Sequence, residues 1–212
     1  MKRRNKGLFI TFEGGEGAGK TTLINRVYDA LSATGHRAIK TLEPGGTPLG
    51  HAIRKLLLHE EKTSICERAE LFLFLADRAH HVKTVILPAL EGGKIVLCDR
   101  FSDSTLAYQG AARRLDIERL RLLCSAATDG LIPDLTLYLD LDPKVGLERA
   151  KKQHLPDRLE RENPAFHIEL RKGFLSLARE EPERFRVIDA EQEIEAIYRK
   201  AIATIESVLC PN

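Results

Sequence analysis

The sequence predicts an α/β fold: a five-stranded parallel sheet with helices on both faces. Three observations lead there. Five short runs are apolar and rich in β-branched or aromatic residues, as strands buried on both faces require. Longer amphipathic stretches separate them, and that alternation builds a parallel sheet with crossover helices. The first run also leads straight into a glycine-rich loop, FEGGEGAGKTTL at residues 12–23, which opens the first helix.

In order, residues 7–12 (GLFITF), 37–42 (RAIKTL), 94–99 (KIVLCD), 135–141 (LTLYLDL) and 185–189 (FRVID) are the expected strands. Amphipathic periodicity predicts helices over residues 21–33, 49–58, 65–90, 117–127 and 143–152. The last helix, over residues 194–209, carries Ile194, Ile197, Ala201, Ile205 and Val208 on one stripe. Residues 148–172 break the rhythm: they are dense in charge, contain Pro156 and Pro164, and show no strand.

A chain of 212 residues fits one domain, or one domain with a mobile insert. Its 33 Lys and Arg nearly cancel its 31 Asp and Glu. That balance gives no support for a nucleic-acid-binding or membrane-surface protein. Only MKRRNK, residues 1–6, is a basic arm, and it reads as a solubilising tail. Cys66, Cys98, Cys124 and Cys210 form no C-x-x-C pair, and His51, His80 and His81 have no partners at ligand spacing. With no signal-peptide pattern and no apolar run near ~18 residues, a cytoplasmic protein is expected.

Four stretches carry chemistry. Gly14, Gly19, Lys20 and Thr21 fit G-x-x-x-x-G-K-[ST] between a strand and a helix. There the backbone N–H groups and the helix N-terminus face phosphates, Lys20 reaches the transferring one, and the Thr21 hydroxyl suits Mg²⁺. One free position of the loop holds a carboxylate, Glu16. The second stretch, LCDRFSDSTLAYQG at residues 97–110, starts at a strand's C-terminal end, where ligands of open sheets bind. Asp99 can hold a metal through water and Arg100 can grip a phosphate, or the two form a surface ion pair. Ser104, Thr105, Tyr108 and Gln109 follow on a polar helical face. Third, Phe74 and Arg78 share a helix face, suited to stacking on a base and bonding its edge, although such a Phe is more often core and such an Arg a solvated charge. Fourth, EPGGT at residues 43–47 marks a tight loop before a helix bearing Arg54.

Together these stretches resemble the thymidylate kinase family, in its bacterial branch. The DR-F-x-x-S-T-x-A-Y-Q run at residues 99–109, EPGGT at 43–47 and PDLTLYLDL at 133–141 carry the resemblance, in the family's order along most of the chain. It implies a P-loop nucleoside monophosphate kinase-like fold over residues 1–212, with a core at 6–147 and 173–210 and a short lid at about 148–172. It implies ATP-dependent phosphorylation of dTMP to dTDP with Mg²⁺ held at Thr21 and Asp99, and a homodimer. ATP would lie on Gly14, Gly15, Glu16, Gly17, Ala18, Gly19, Lys20, Thr21 and Thr22. The acceptor would meet Glu16, Glu43, Arg54, Phe74, Arg78, Arg100, Ser104, Thr105, Tyr108 and Gln109. Glu16 would contact the sugar 3′-hydroxyl, which explains a carboxylate in a polyanion's cradle. Lys20, Glu16, Asp99, Arg100, Arg149 and Arg158 are the expected catalytic set, the last two from the lid.

Three positions depart from the bacterial pattern. Leu42 stands where an arginine usually precedes EPGGT, and Lys151 and Gln153 replace lid arginines. Two rival functions remain at this level, a kinase for another nucleoside monophosphate and a nucleotide-dependent switch protein.

Overall fold

Alternate residues of the first strand go to opposite sides of a sheet, and both sides are covered. The computed structural model describes residues 7–59, 64–153 and 155–209; the basic arm and Cys210 lie outside them. Strand β1 (Leu8–Gly14) runs into helix α1 (Lys20–Ala33), followed by β2 (Ala38–Leu42), α2 (Pro48–Arg54) and α3 (Glu67–His81). Next come α4 (Leu87–Glu91), β3 (Ile95–Asp99), the short α5 (Ser102–Thr105), α6 (Ile117–Thr128) and β4 (Leu135–Asp140). The chain closes with α7 (Pro143–Lys151), α8 (Pro164–Glu180), β5 (Phe185–Asp189) and α9 (Ile194–Leu209). Wide π-helical turns at Lys55–His59, Val82–Ile86 and Leu106–Ala112 extend α2, α3 and α5.

All five strands are parallel, in the order β2-β3-β1-β4-β5. Ile10 and Phe12 pack with Leu97, Leu137 and the apolar faces of α1 and α9. Phe9, just before them, faces the other side with Val96, Cys98 and Phe101. On that second side, α3, α6 and α8 enclose a core built around Tyr138, Phe166 and Phe174. Strand order reverses at β1, and the loops after β1, β2 and β3 leave from one carboxyl edge, the usual ligand site of open α/β sheets.

The charged stretch 148–172 is not one insert. Its first residues finish α7 and its last nine begin α8, where Phe166, His167 and Leu170 are buried. Asn163 caps α8 by accepting from the Phe166 N–H, and Pro164 occupies the first turn. Phe166, Leu170, Phe174 and Leu177 recur at helical spacing, a signal hidden by the charges between them. The irregular link is thus only residues 152–163, of which His154 lies outside the described residues. Among the described residues, no helix is long and apolar enough to cross a membrane.

Candidate active site

The glycine-rich loop turns into α1 through Gly19, whose φ of 88° is left-handed backbone that glycine adopts without strain. A Cβ on Gly17 would collide with the Gly146 carbonyl of α7, so the loop can lie against that helix only as glycine. Lys20 is buried, and its Nζ donates to the carbonyls of Gly14 at 3.1 Å and Gly15 at 2.9 Å. Burial pushes the Lys20 pKa down, the Arg100 cation adds to this, and Glu16 and Asp99 oppose it only partly. An anionic ligand would supply the missing negative charge. Residues 16–22 border a cavity of about 1180 Å³.

Thr21 and Asp99 meet at the edge of that cavity: the Thr21 hydroxyl donates to Asp99 Oδ2 at 3.0 Å. Both are hard oxygen donors of the kind Mg²⁺ accepts. Among the described residues no cluster of three His, Cys, Asp or Glu side chains could hold a metal. Two protein donors leave the rest of a hard cation's shell to waters and phosphate oxygens.

Glu16 turns away from α1. Its Oε1 accepts from Arg100 Nη2 at 2.8 Å and from the Tyr108 hydroxyl at 2.5 Å. Burial alone would raise its pKa, but Arg100, Lys20 and the Tyr108 hydrogen bond outweigh this and hold it at about 2. Arg100 also donates to the Gly14 carbonyl at 3.0 Å and to Ser104 Oγ at 3.3 Å. Its φ of 72° is uncommon for a residue with a side chain and is held by these contacts. Arg100 spends its fork on Glu16, Gly14 and Ser104, which sets aside the alternative of a surface ion pair with Asp99.

A second cavity, about 550 Å³, adjoins the first and includes Phe74, Arg78, Ser104, Thr105, Tyr108 and Gln109 in its wall. Arg78 is nearly inaccessible. It donates to Glu43 Oε2 at 2.7 Å, Thr105 Oγ1 at 2.9 Å and the Phe101 carbonyl at 2.9 Å. Phe74 is half-buried on the same face of α3. Arg54 donates to the Pro44 carbonyl at 2.9 Å and borders both cavities. The acceptor residues expected from the sequence therefore converge on one wall.

The lid residues do not converge with them. Arg149 donates to the Ala190 carbonyl at 3.1 Å, and Arg158 to the Leu57 carbonyl at 2.7 Å. Neither borders the phosphate-loop cavity; Gln153, Asp157 and Glu160 do. Leu42, another departure, also borders that cavity.

Several residues in this architecture gave no signal along the chain. His81 is fully buried, with Nδ1 2.9 Å from Glu43 Oε1 and Nε2 2.5 Å from Thr41 Oγ1. Glu13 accepts from the Phe101 N–H and the Ser104 hydroxyl. Burial, reinforced by Asp103, pushes the Glu13 carboxyl well above the usual range. Asp77 accepts from the Gly45 N–H, and burial with the neighbouring Glu43 charge raises its pKa to about 7. Glu70 ties Gln109, Arg113 and Arg158 together. These partners are far apart in sequence, and no local spacing announces them.

A phosphate loop, a pair of hard oxygen donors and a second cavity with an aromatic and a guanidinium in its wall lie side by side, and similar proteins are known. A family model described as Thymidylate kinase matches residues 12–201. A thymidylate kinase of Desulfovibrio desulfuricans is 53% identical over 209 residues, covering 95% of this chain and 96% of that protein. One of Deinococcus radiodurans is 51% identical over 195 residues, covering 91% and 94%. The crystal structure of thymidylate kinase from Ehrlichia chaffeensis matches with a TM-score of 0.77 at 32% identity, over 94% of this chain and 99% of that one. With the family's model spanning nearly all of the sheet and both cavities, the chain belongs to the thymidylate kinase family.

Proposed function

We propose that this protein transfers the γ-phosphoryl group of ATP to the 5′-phosphate of dTMP, giving ADP and dTDP. The observation that carries the reading is the wall common to the two cavities: Glu16, Glu43, Arg54, Arg100 and Asp157 border both. Two phosphate-bearing ligands seated side by side would meet there, beside the fork of Arg100.

An acceptor phosphate oxygen attacks the γ-phosphorus and ADP leaves. Two anions must approach and charge spreads over the transferring oxygens, so the protein's work is positioning and neutralisation. Lys20 exchanges its carbonyl partners for phosphate oxygens, while Arg100 and Arg54 orient the acceptor phosphate. Thr21 and Asp99 would hold Mg²⁺, which when bound shields the phosphates from one another. Arg149 and Arg158 would bring the lid's positive charge to the transferring phosphoryl on closure, and the segment 188–192 would border the adenine. Phe74 stacks on the thymine, and Arg78, Thr105 and Gln109 read its edge. Glu16 accepts from the sugar 3′-hydroxyl, with Tyr108 against the deoxyribose. The protein is expected to work as a cytoplasmic homodimer. Phe72 on α3 and Leu122 on α6, exposed on helices that pack together, offer apolar surface for a second copy, and sedimentation would test it.

The direct test is ADP release with dTMP, dCMP, AMP and GMP offered separately. dTMP should give by far the fastest turnover. Preference for another nucleotide would make this a different monophosphate kinase, and slow ADP release indifferent to any acceptor would make it a switch.

Two substitutions separate the ligands. Glu16→Gln keeps shape but removes the charge, and should weaken dTMP binding by roughly 1.5–3 kcal/mol, the worth of a charged hydrogen bond. ATP affinity should hold or rise, since a negative charge leaves the phosphate loop. Titration calorimetry with each nucleotide decides; loss of ATP binding with intact dTMP binding would reverse the assignment of Glu16. Phe74→Ala should cost dTMP roughly 1–3 kcal/mol of stacking and leave ATP untouched. If dTMP binds this variant as it binds the parent, the ring is only packing.

A further inference from the structure

Glu70, on α3, is fully buried and stands behind the acceptor cavity without bordering it. Its Oε1 accepts from Gln109 Nε2 at 2.8 Å, and its Oε2 pairs with Arg158 at 2.6 Å and Arg113 at 3.2 Å. Burial pushes the carboxyl pKa up, but the Gln109 amide and the two guanidiniums outweigh it and hold it below the usual range. An ionised carboxylate can only accept. The nitrogen of Gln109 must therefore face Glu70, and its Oε1 makes no hydrogen bond among the described residues. Gln109 itself borders the cavity, so its unpaired amide oxygen faces a ligand as an acceptor, while the nitrogen stays anchored at Glu70 with a single N–H to spare.

This matters because a glutamine amide reads either hydrogen-bond pattern unless a neighbour fixes it, whereas Arg78 donates in any orientation. A thymine-type ring carries a proton on N3. A cytosine-type ring has a bare N3 that accepts. We infer that Glu70 is a positioning residue for base selection: by holding the Gln109 amide nitrogen it keeps an acceptor aimed at the base, admitting a ring N3–H and rejecting an unprotonated N3. The inference rests on the proposed reading of this cavity as the dTMP site. Opposed acceptors with no proton between them are costly in a buried cavity, so the orientation is worth discrimination rather than only affinity.

The experiment compares kcat/KM for dTMP and for 5-methyl-dCMP, which carries the same methyl group and differs only along the hydrogen-bonding edge. Glu70→Gln places at residue 70 an amide that can donate as well as accept, which lets Gln109 turn over. The preference for dTMP should fall about tenfold or more, chiefly through KM. Arg113→Met removes a charge partner of Glu70 but leaves the amide pair intact, and should keep the parent preference. A purely structural role would lower both substrates together in Glu70→Gln, and an unchanged ratio overturns the inference. Should Glu70→Gln not fold, Gln109→Leu carries the test: loss of preference supports the inference and full retention overturns it. A parent enzyme that does not use dTMP would overturn the acceptor reading itself, whereas a dTMP-specific parent with an unchanged Glu70→Gln ratio overturns only the role of Glu70.

Discussion

Replacing Lys20 with alanine is expected to lower turnover on the order of a hundredfold or more while the fold survives, because a preorganised charge leaves the transferring phosphoryl group. In the structure Nζ of Lys20 spends its hydrogen bonds on the Gly14 and Gly15 carbonyls. Losing those two bonds should destabilise the protein by only about 1–3 kcal/mol. The comparison needs ADP release at saturating ATP and dTMP beside a thermal melt of the same sample. Near-parental turnover from a folded variant would remove the phosphate loop from the chemistry.

The second large effect is on stability. Arg78 and Glu43 form a 2.7 Å ion pair in which each side chain is only 2% exposed. Arg78→Ala strands the Glu43 carboxylate, and breaking one side of a buried pair costs roughly 3–5 kcal/mol. For a chain of this size the melting temperature should drop by about 6–20 °C. dTMP affinity should fall as well, since Arg78 borders the acceptor cavity. Arg78→Met combined with Glu43→Gln removes both charges and should recover much of the stability without recovering dTMP binding. If Arg78→Ala melts within a degree or two of the parent, His81 and water compensate Glu43 and the pair is not a keystone of the fold.

Much of this protein is legible along the chain because the signals are contiguous. Residues 12–23 hold strand, loop and helix start in one run, so Lys20 and Thr21 could be assigned from spacing, and Thr21 does meet Asp99. All five strands are short apolar runs, and the structure moves their ends by only a residue or two. Helix α8 escaped because its apolar stripe, Phe166, Leu170, Phe174 and Leu177, is embedded in charge. The remainder was settled by packing. Arg100 reaches Glu16 across 84 positions, Tyr108 reaches it across 92, and Arg78 finds Glu43 across 35. Periodicity can say that a side chain leaves a helix on one face. Which distant charge it meets depends on how α3, α5 and the phosphate loop come together at the carboxyl edge of the sheet. For the same reason His81 looked idle and Glu70 drew no notice. A carboxylate's role is set by the field and the donors around it, and those exist only once the chain has folded.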